Sequence, residues 1–405
     1  MDSVVVVGAG LGGVSTAKAL RTKGFRGTLT LLGDESEAPY DRPPLSKDVL
    51  LGTIDHQPLA LDAERFGIDL RAGVEAVGLA RAGDRWAVRC GNGEEIRADR
   101  VVIATGAHPI KLRALDAHPN VYSLRTLQDA HGLRGVLRRP MDVVVIGAGW
   151  IGAEVASAAA AIGCTVHVVD RETAPQSGTF GSEVGRRFLP WYGEAGVELL
   201  LGRQVVNTGA RHIELDDGTV VPAEVIVSGV GVAPSTSWLN SASIELDRRG
   251  AVLVDRYLES ISAPGVYAVG DCASYPTDRY STRLRPEHWT NAQQSGAAAA
   301  ANTLGHATAY DPVPYFWSKQ FGRMLQYVGH HDHQDTLVWR SDPANPDWSA
   351  YWVRRGQPTA FLAVNRPREV VDVRRLLAQS APFDLARLAD EANPVATCVP
   401  EPSAR

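Results

Sequence analysis

The stretch Val4–Gly13 reads "VVVVGAGLGG": a run of valines entering glycines at Gly8, Gly10 and Gly13. An unbroken β-branched run, rather than an alternating one, reads as a strand buried on both faces of a parallel sheet. In a G-x-G-x-x-G loop the first glycine permits a tight turn and the second lets the backbone approach a pyrophosphate. The third lets the following helix pack close to the strand. Downstream, "GGVSTAKALRTKG" predicts a helix stopped by Gly24, and "TLTLL" (Thr28–Leu32) predicts a second strand. Asp34 then falls roughly 20 residues past Gly13, where an acid reaches a ribose hydroxyl.

The pattern occurs twice. "VVVIGAGWIG" (Val143–Gly152) carries Gly147, Gly149 and Gly152, followed by a predicted helix to about Ile162 and a strand, "TVHVV", ending on Asp170. A lone glycine loop arises by chance; strand, loop, helix, strand and acid repeated in order do not. Each helix N-terminus offers free N–H groups and partial positive charge to a phosphate. The fold class expected is α/β, with two Rossmann-like dinucleotide-binding domains. Two dinucleotides in one chain point to a resident flavin and a hydride donor that comes and goes.

Bulk properties agree with a globular chain. At 405 residues it accommodates two or three cored domains. A net charge of −5 excludes a globally basic nucleic-acid binder. No apolar run reaches the roughly 18 residues of a membrane helix, and the start lacks the pattern of a signal peptide, so a cytoplasmic location is expected. Cys90, Cys164, Cys272 and Cys398 are scattered, without C-x-x-C spacing, and read as buried thiols rather than a disulfide or zinc framework. The histidine-rich "GHHDHQD" (Gly329–Asp335) reads as a solvated turn, and no metal site is expected.

Three further stretches read as strands ending in small-residue turns: "RVVIATGAHP" (Arg100–Pro109), "VIVSGVGVAP" (Val225–Pro234) and "GVYAVGDCA" (Gly265–Ala273). Together with "YDRPPLSK", "LRTLQDA", "GAGWIGAE", "EHWTNAQQ", "PYFWSKQ" and "VNRP", in that order along the whole chain, they resemble the FAD-dependent NADH:ferredoxin reductases of oxygenase systems. The resemblance implies that FAD is bound by Gly8, Gly10, Gly12, Gly13, Asp34, Arg42, Lys47, Ala76, Thr105, Gly106, Arg125, Gly270, Asp271 and Trp289. It implies an NADH site at Gly147, Gly149, Gly152, Glu154, Asp170 and Gly229. Lys47, Glu154 and Trp317 would carry the chemistry: Lys47 near the reactive flavin edge, Glu154 facing the stacked rings, Trp317 toward the partner. Out of context, Arg42 and Lys47 read as a solvated pair, Glu154 as a helix-start acid and Trp289 as core. An acid at Asp170 repels a 2′-phosphate and favours NADH over NADPH, although Arg171 follows it.

The resemblance also implies a glutathione-reductase-like arrangement: an FAD domain in two pieces (1–108 and 238–310) around an NAD domain (109–237), then a C-terminal α+β interface domain (311–405). No cysteine stands in "EAPYDRPPLSK", where oxidases of related fold keep a reactive thiol, so the electron acceptor is expected to be external. A [2Fe–2S] ferredoxin serving a cytochrome P450 or Rieske-type oxygenase fits the resemblance. Its docking is expected on Arg354, Arg355, Arg366, Arg368, Arg374 and Arg375, set against only Glu369 and Asp372; snorkelling surface arginines are the plainer reading. Lys319 departs from the acid usual at that position. Rubredoxin reductase or NADH oxidase is the alternative activity, and a redox-controlled interaction protein resembling apoptosis-inducing factor the alternative class.

Overall fold

The computed structural model describes residues 1–112, 115, 118–240 and 242–399; 400–405, the end of the expected C-terminal domain, lie outside them. The chain forms two compact units: Met1–Asp41, His56–His108 and Val232–Pro312 in the first, Arg42–Asp55, Pro109–Gly231 and Val313–Arg405 in the second.

In the first unit the valine run becomes the strand Ser3–Val7, buried along its whole length. It is the centre of a five-stranded sheet ordered Val266–Ala268, Arg100–Ile103, Ser3–Val7, Thr28–Leu32, Asp69–Arg71. Every pairing in that sheet is parallel, which explains why the central strand is apolar on both faces. The helix Leu11–Thr22 follows the glycine loop, and Gly24 beyond it takes the left-handed conformation that ends the helix. A second helix, Trp289–Thr303, crosses the first so closely that a Cβ on Gly296 would lie 2.5 Å from the Gly12 carbonyl oxygen. Small residues at this crossing let the two backbones nearly touch.

The second unit repeats the plan. Its parallel sheet runs Glu198–Leu201, Thr165–Asp170, Asp142–Ile146, Val225–Ser228, Val121–Tyr122. The glycine-loop strand is again central, beside the strand that follows its helix, Trp150–Ile162. The same unit holds an antiparallel sheet ordered Tyr315–Gln320, Arg323–Gly329, Gln357–Val364, Trp348–Arg354, Thr336–Trp339. Helix Pro367–Ala378 covers one face of it, burying Val370, Val373, Leu376 and Leu377. An aromatic cluster joins the second glycine loop to this sheet: Trp150 meets Phe316 edge-on at 4.4 Å and Phe180 at 5.4 Å. Among the described residues no helix is long and apolar enough to cross a membrane.

Candidate functional site

Each glycine loop is tight where the backbone must close and open where a ligand must enter. Gly8 has φ 109°, and a Cβ there would lie 2.2 Å from the Ala104 carbonyl oxygen. A Cβ on Gly13 would lie 1.8 Å from the Gly8 oxygen, whereas one on Gly10 meets nothing within 4 Å. The second loop matches it. Gly147 has φ 102° with Gly229 O at 2.5 Å from its hypothetical Cβ; for Gly152 that distance to Gly147 O is 1.9 Å, and Gly149 again faces open space. Neither helix has a capping side chain at its glycine N-cap or an acid in its first turn. Both cradles therefore suit a dinucleotide pyrophosphate: free amides, positive potential, and room at the middle glycine. Gly12 faces the other way, toward Val269 and Ala292.

The two acids at the strand ends differ. Asp34 is exposed and accepts only the next amide, from Glu35 at 3.1 Å, among the described residues. Asp170 is half-buried and accepts from Ala148 N at 2.6 Å and from Glu172 N at 2.9 Å, so it clamps the second loop.

The remaining flavin candidates of the first unit are strand ends and turns. Thr105 Oγ1 donates to Ser235 O at 2.6 Å beside Gly106, which has φ 66°. Gly270 N donates to Ser295 Oγ at 3.0 Å, and Arg285 donates to the Asp271 carbonyl at 3.3 Å. Trp289 opens its helix and donates from Nε1 to Asp41 Oδ1 at 2.7 Å. Ala76 begins an antiparallel strand opposite Cys90. Burial pushes His288, immediately before Trp289, down to about 4.

In the second unit Arg42 donates to the Arg125 carbonyl at 2.6 Å, and Arg125 N donates to Asp129 at 3.0 Å within a capping box. Leu45–Val49 forms one π-helical turn, closed by Val49 N to Pro44 O at 3.0 Å. Such turns recur at functional sites, and this one carries Lys47. The ammonium lies 2.6 Å from Glu154 Oε2 and donates to Pro43 O at 3.0 Å.

Glu154 is not a helix-start acid. It sits in the second turn, 5% exposed, and both carboxylate oxygens are satisfied. Ser46 donates to Oε2 and Ser318 to Oε1, each at 2.5 Å. The structure thus joins Lys47 and Glu154, and adds two hydroxyls that sequence reasoning did not assign. The signal for Ser318 was strand alternation. Phe316, Ser318 and Gln320 are buried on one face, while Tyr315, Trp317 and Lys319 point to the other. On that other face Trp317 stacks on Tyr315 at 5.9 Å and 28°, and Arg374 lies 4.0 Å over the Tyr315 ring.

The arginine cluster divides. Arg354 is committed to Asp335 at 2.6 Å and Arg366 to Glu369 and Glu391, both at 3.1 Å. Arg375 is only 3.9 Å from Asp372, and Arg355 and Arg368 are exposed without an ion-pair partner among the described residues. Electrostatic availability therefore belongs to part of the cluster only.

The histidine-rich turn is packed on one side only: His333 and Gln334 are exposed, as a solvated turn would have them, while His331 and Asp335 turn inward. His331 stacks on Trp352 at 4.1 Å and 11°, with its Nδ1 2.6 Å from Tyr327 OH. Asp335 gathers Arg354 and Thr359, both at 2.6 Å. Among the described residues no three metal-ligating side chains converge. All four cysteines are free, and burial pushes each thiol above its ordinary range, the opposite of an activated nucleophile.

Residues 2–296 match the pyridine nucleotide-disulphide oxidoreductase family, and 315–399 match the reductase C-terminal domain. The chain belongs to this family of nucleotide-dependent oxidoreductases. It is 32% identical to putidaredoxin reductase of Pseudomonas putida, covering 97% of this chain and 96% of that protein. The ferredoxin–NAD(+) reductase component of the p-cumate 2,3-dioxygenase system of Pseudomonas putida is 33% identical over 98% of each. The covalent putidaredoxin reductase–putidaredoxin complex superposes with a TM-score of 0.92 at 30% identity, over 97% of each chain.

Proposed function

We propose that this chain is an FAD-dependent NADH:ferredoxin reductase that supplies a cytochrome P450 or Rieske-type oxygenase. The observation that carries the reading is the pair of glycine cradles in a chain whose thiols are all buried or held protonated, so that no internal sulfur accepts the electrons. That favours an external acceptor over the oxidase alternative, and the relatives' own names favour a ferredoxin over rubredoxin.

A bound FAD supplies a centre that takes two electrons as hydride and releases them singly. The protein's contribution is placement. Gly8, Gly10, Gly13, Asp34, Thr105, Gly106, Gly270, Asp271 and Trp289 are assigned to FAD, as are Arg42, Lys47 and Arg125. Gly147, Gly149, Gly152, Gly229 and Asp170 are assigned to NADH. Asp170 brings negative charge where a 2′-phosphate would sit, which selects NADH. Lys47 and Glu154 hold fixed charge at the reacting rings and need move no proton, because orientation does most to lower a hydride-transfer barrier.

The acidic partner is assigned to the exposed face of helix Pro367–Ala378, where Arg368, Val371 and Arg375 follow each other at helical spacing. Val371 is 66% exposed, an apolar centre rimmed by cations. Arg374 continues this face to Tyr315 and Trp317. Stopped-flow mixing with NADH tests the function: the flavin band should bleach within milliseconds, and cytochrome c should be reduced only once ferredoxin is added. Rapid consumption of oxygen without ferredoxin would overturn the proposal.

A further inference from the structure

Glu154 places a carboxyl group at a depth where an unpaired polar group is costly, so every donor to it matters. Oε2 has two, Ser46 and Lys47; Oε1 has one among the described residues, Ser318. Ser318 is itself held. Its oxygen accepts from Gln320 Nε2 at 3.0 Å, which aims the hydroxyl proton at Glu154. Gln320 Oε1 accepts from Gln176 Nε2 at 2.9 Å. Gln176 adopts φ 57°, a left-handed conformation unusual for a side-chain-bearing residue. From there its backbone N donates at 3.1 Å to Ala148 O, inside the second glycine loop. Ser318, Gln320 and Gln176 are 1%, 0% and 5% exposed.

A buried polar chain of this kind is dearer than an apolar one of the same shape. Strain at Gln176 and complete satisfaction of Ser318 point to a positional task. We propose that Ser318, backed by Gln320 and Gln176, is a positioning residue that fixes the orientation of the Glu154 carboxylate and so anchors the Lys47 ammonium. The relay ties the nicotinamide cradle at Ala148 to the cation assigned to the flavin edge. This rests on the roles given above to Lys47 and Glu154.

The test is infrared spectroscopy of the purified holoenzyme, with Glu154→Gln identifying the Glu154 carboxylate band. In Ser318→Ala that band should shift away from its wild-type position, matching the loss of one hydrogen bond to a charged group. Ser318→Thr, which keeps the hydroxyl, should return it to the wild-type position. The flavin midpoint potential of Ser318→Ala should move with the band, because Lys47 is then less firmly held. If Ser318→Ala does not fold, Ser318→Cys, a weaker donor of similar size, should move the band in the same direction by less. Identical Glu154 bands in wild type and variant would overturn the proposal. A protein that takes up no flavin would instead refute the assigned function, while the carboxylate band would still decide the role of Ser318.

Discussion

Replacing Lys47 by Met removes the cation paired with Glu154, a carboxylate that is 5% exposed, at an original separation of 2.6 Å. Losing one partner of a buried ion pair costs roughly 3–5 kcal/mol, because the other charge stays behind. Two features move this case to the lower end. Lys47 is 20% exposed, so water partly replaces it, and Ser46 and Ser318 still donate to Glu154. The expected loss is about 3 kcal/mol, or about 5–10 °C in Tm for the cooperative unit. Lys47→Met combined with Glu154→Gln removes the stranded charge and should recover about 2 kcal/mol, leaving a favourable coupling in the double-mutant cycle. Urea and thermal unfolding of the four proteins at neutral pH measure all of this. A single-variant loss under about 1 kcal/mol, or a double variant no more stable than Lys47→Met, would refute the reasoning.

Burial beside Trp352, with His330 adding like charge, holds His331 down to about 4, below its ordinary 6.5. The unfolded chain therefore binds the extra proton between those values; stability is intact above about pH 6.5 and declines toward pH 4, by about 3 kcal/mol from this residue. His331→Gln should flatten that part of an unfolding-versus-pH curve, and an unchanged slope would count against the assignment. Reversing the charges of Arg368 and Arg375 to Glu should slow ferredoxin association about tenfold at low ionic strength and weaken its salt dependence. An unchanged association rate would mean that docking lies elsewhere. Asp170→Ala should raise KM for NADH far more than it slows flavin re-oxidation by ferredoxin; equal damage to both half-reactions would contradict its place in the nicotinamide site.

Both glycine loops, their strands and the helices behind them were legible because the rules involved are local. Gly8 and Gly147 need positive φ, Gly13 and Gly152 need the absence of a Cβ, and each requirement is met within about ten residues. The charge of the arginine cluster was equally visible. Its availability was not: Asp335 and Glu391, which pair with Arg354 and Arg366, lie outside the segment 354–375 that holds the cluster and reach them only through folding. The histidine-rich turn misled in part, for a related reason. Its polar composition reads as solvated, yet His331 finds Trp352 across the sheet and Asp335 finds Thr359.

The amino-acid order alone determined the duplicated nucleotide architecture, since backbone sterics and strand or helix periodicity act over short distances along the chain. The tertiary structure decided what surrounds Glu154. Ser46 and Ser318 lie 108 and 164 residues from it in sequence, and no spacing rule links segments that far apart. Only when the fold closes is a carboxylate removed from water and made dependent on a lysine and two hydroxyls, because the cost of burying its charge exists only in the packed interior.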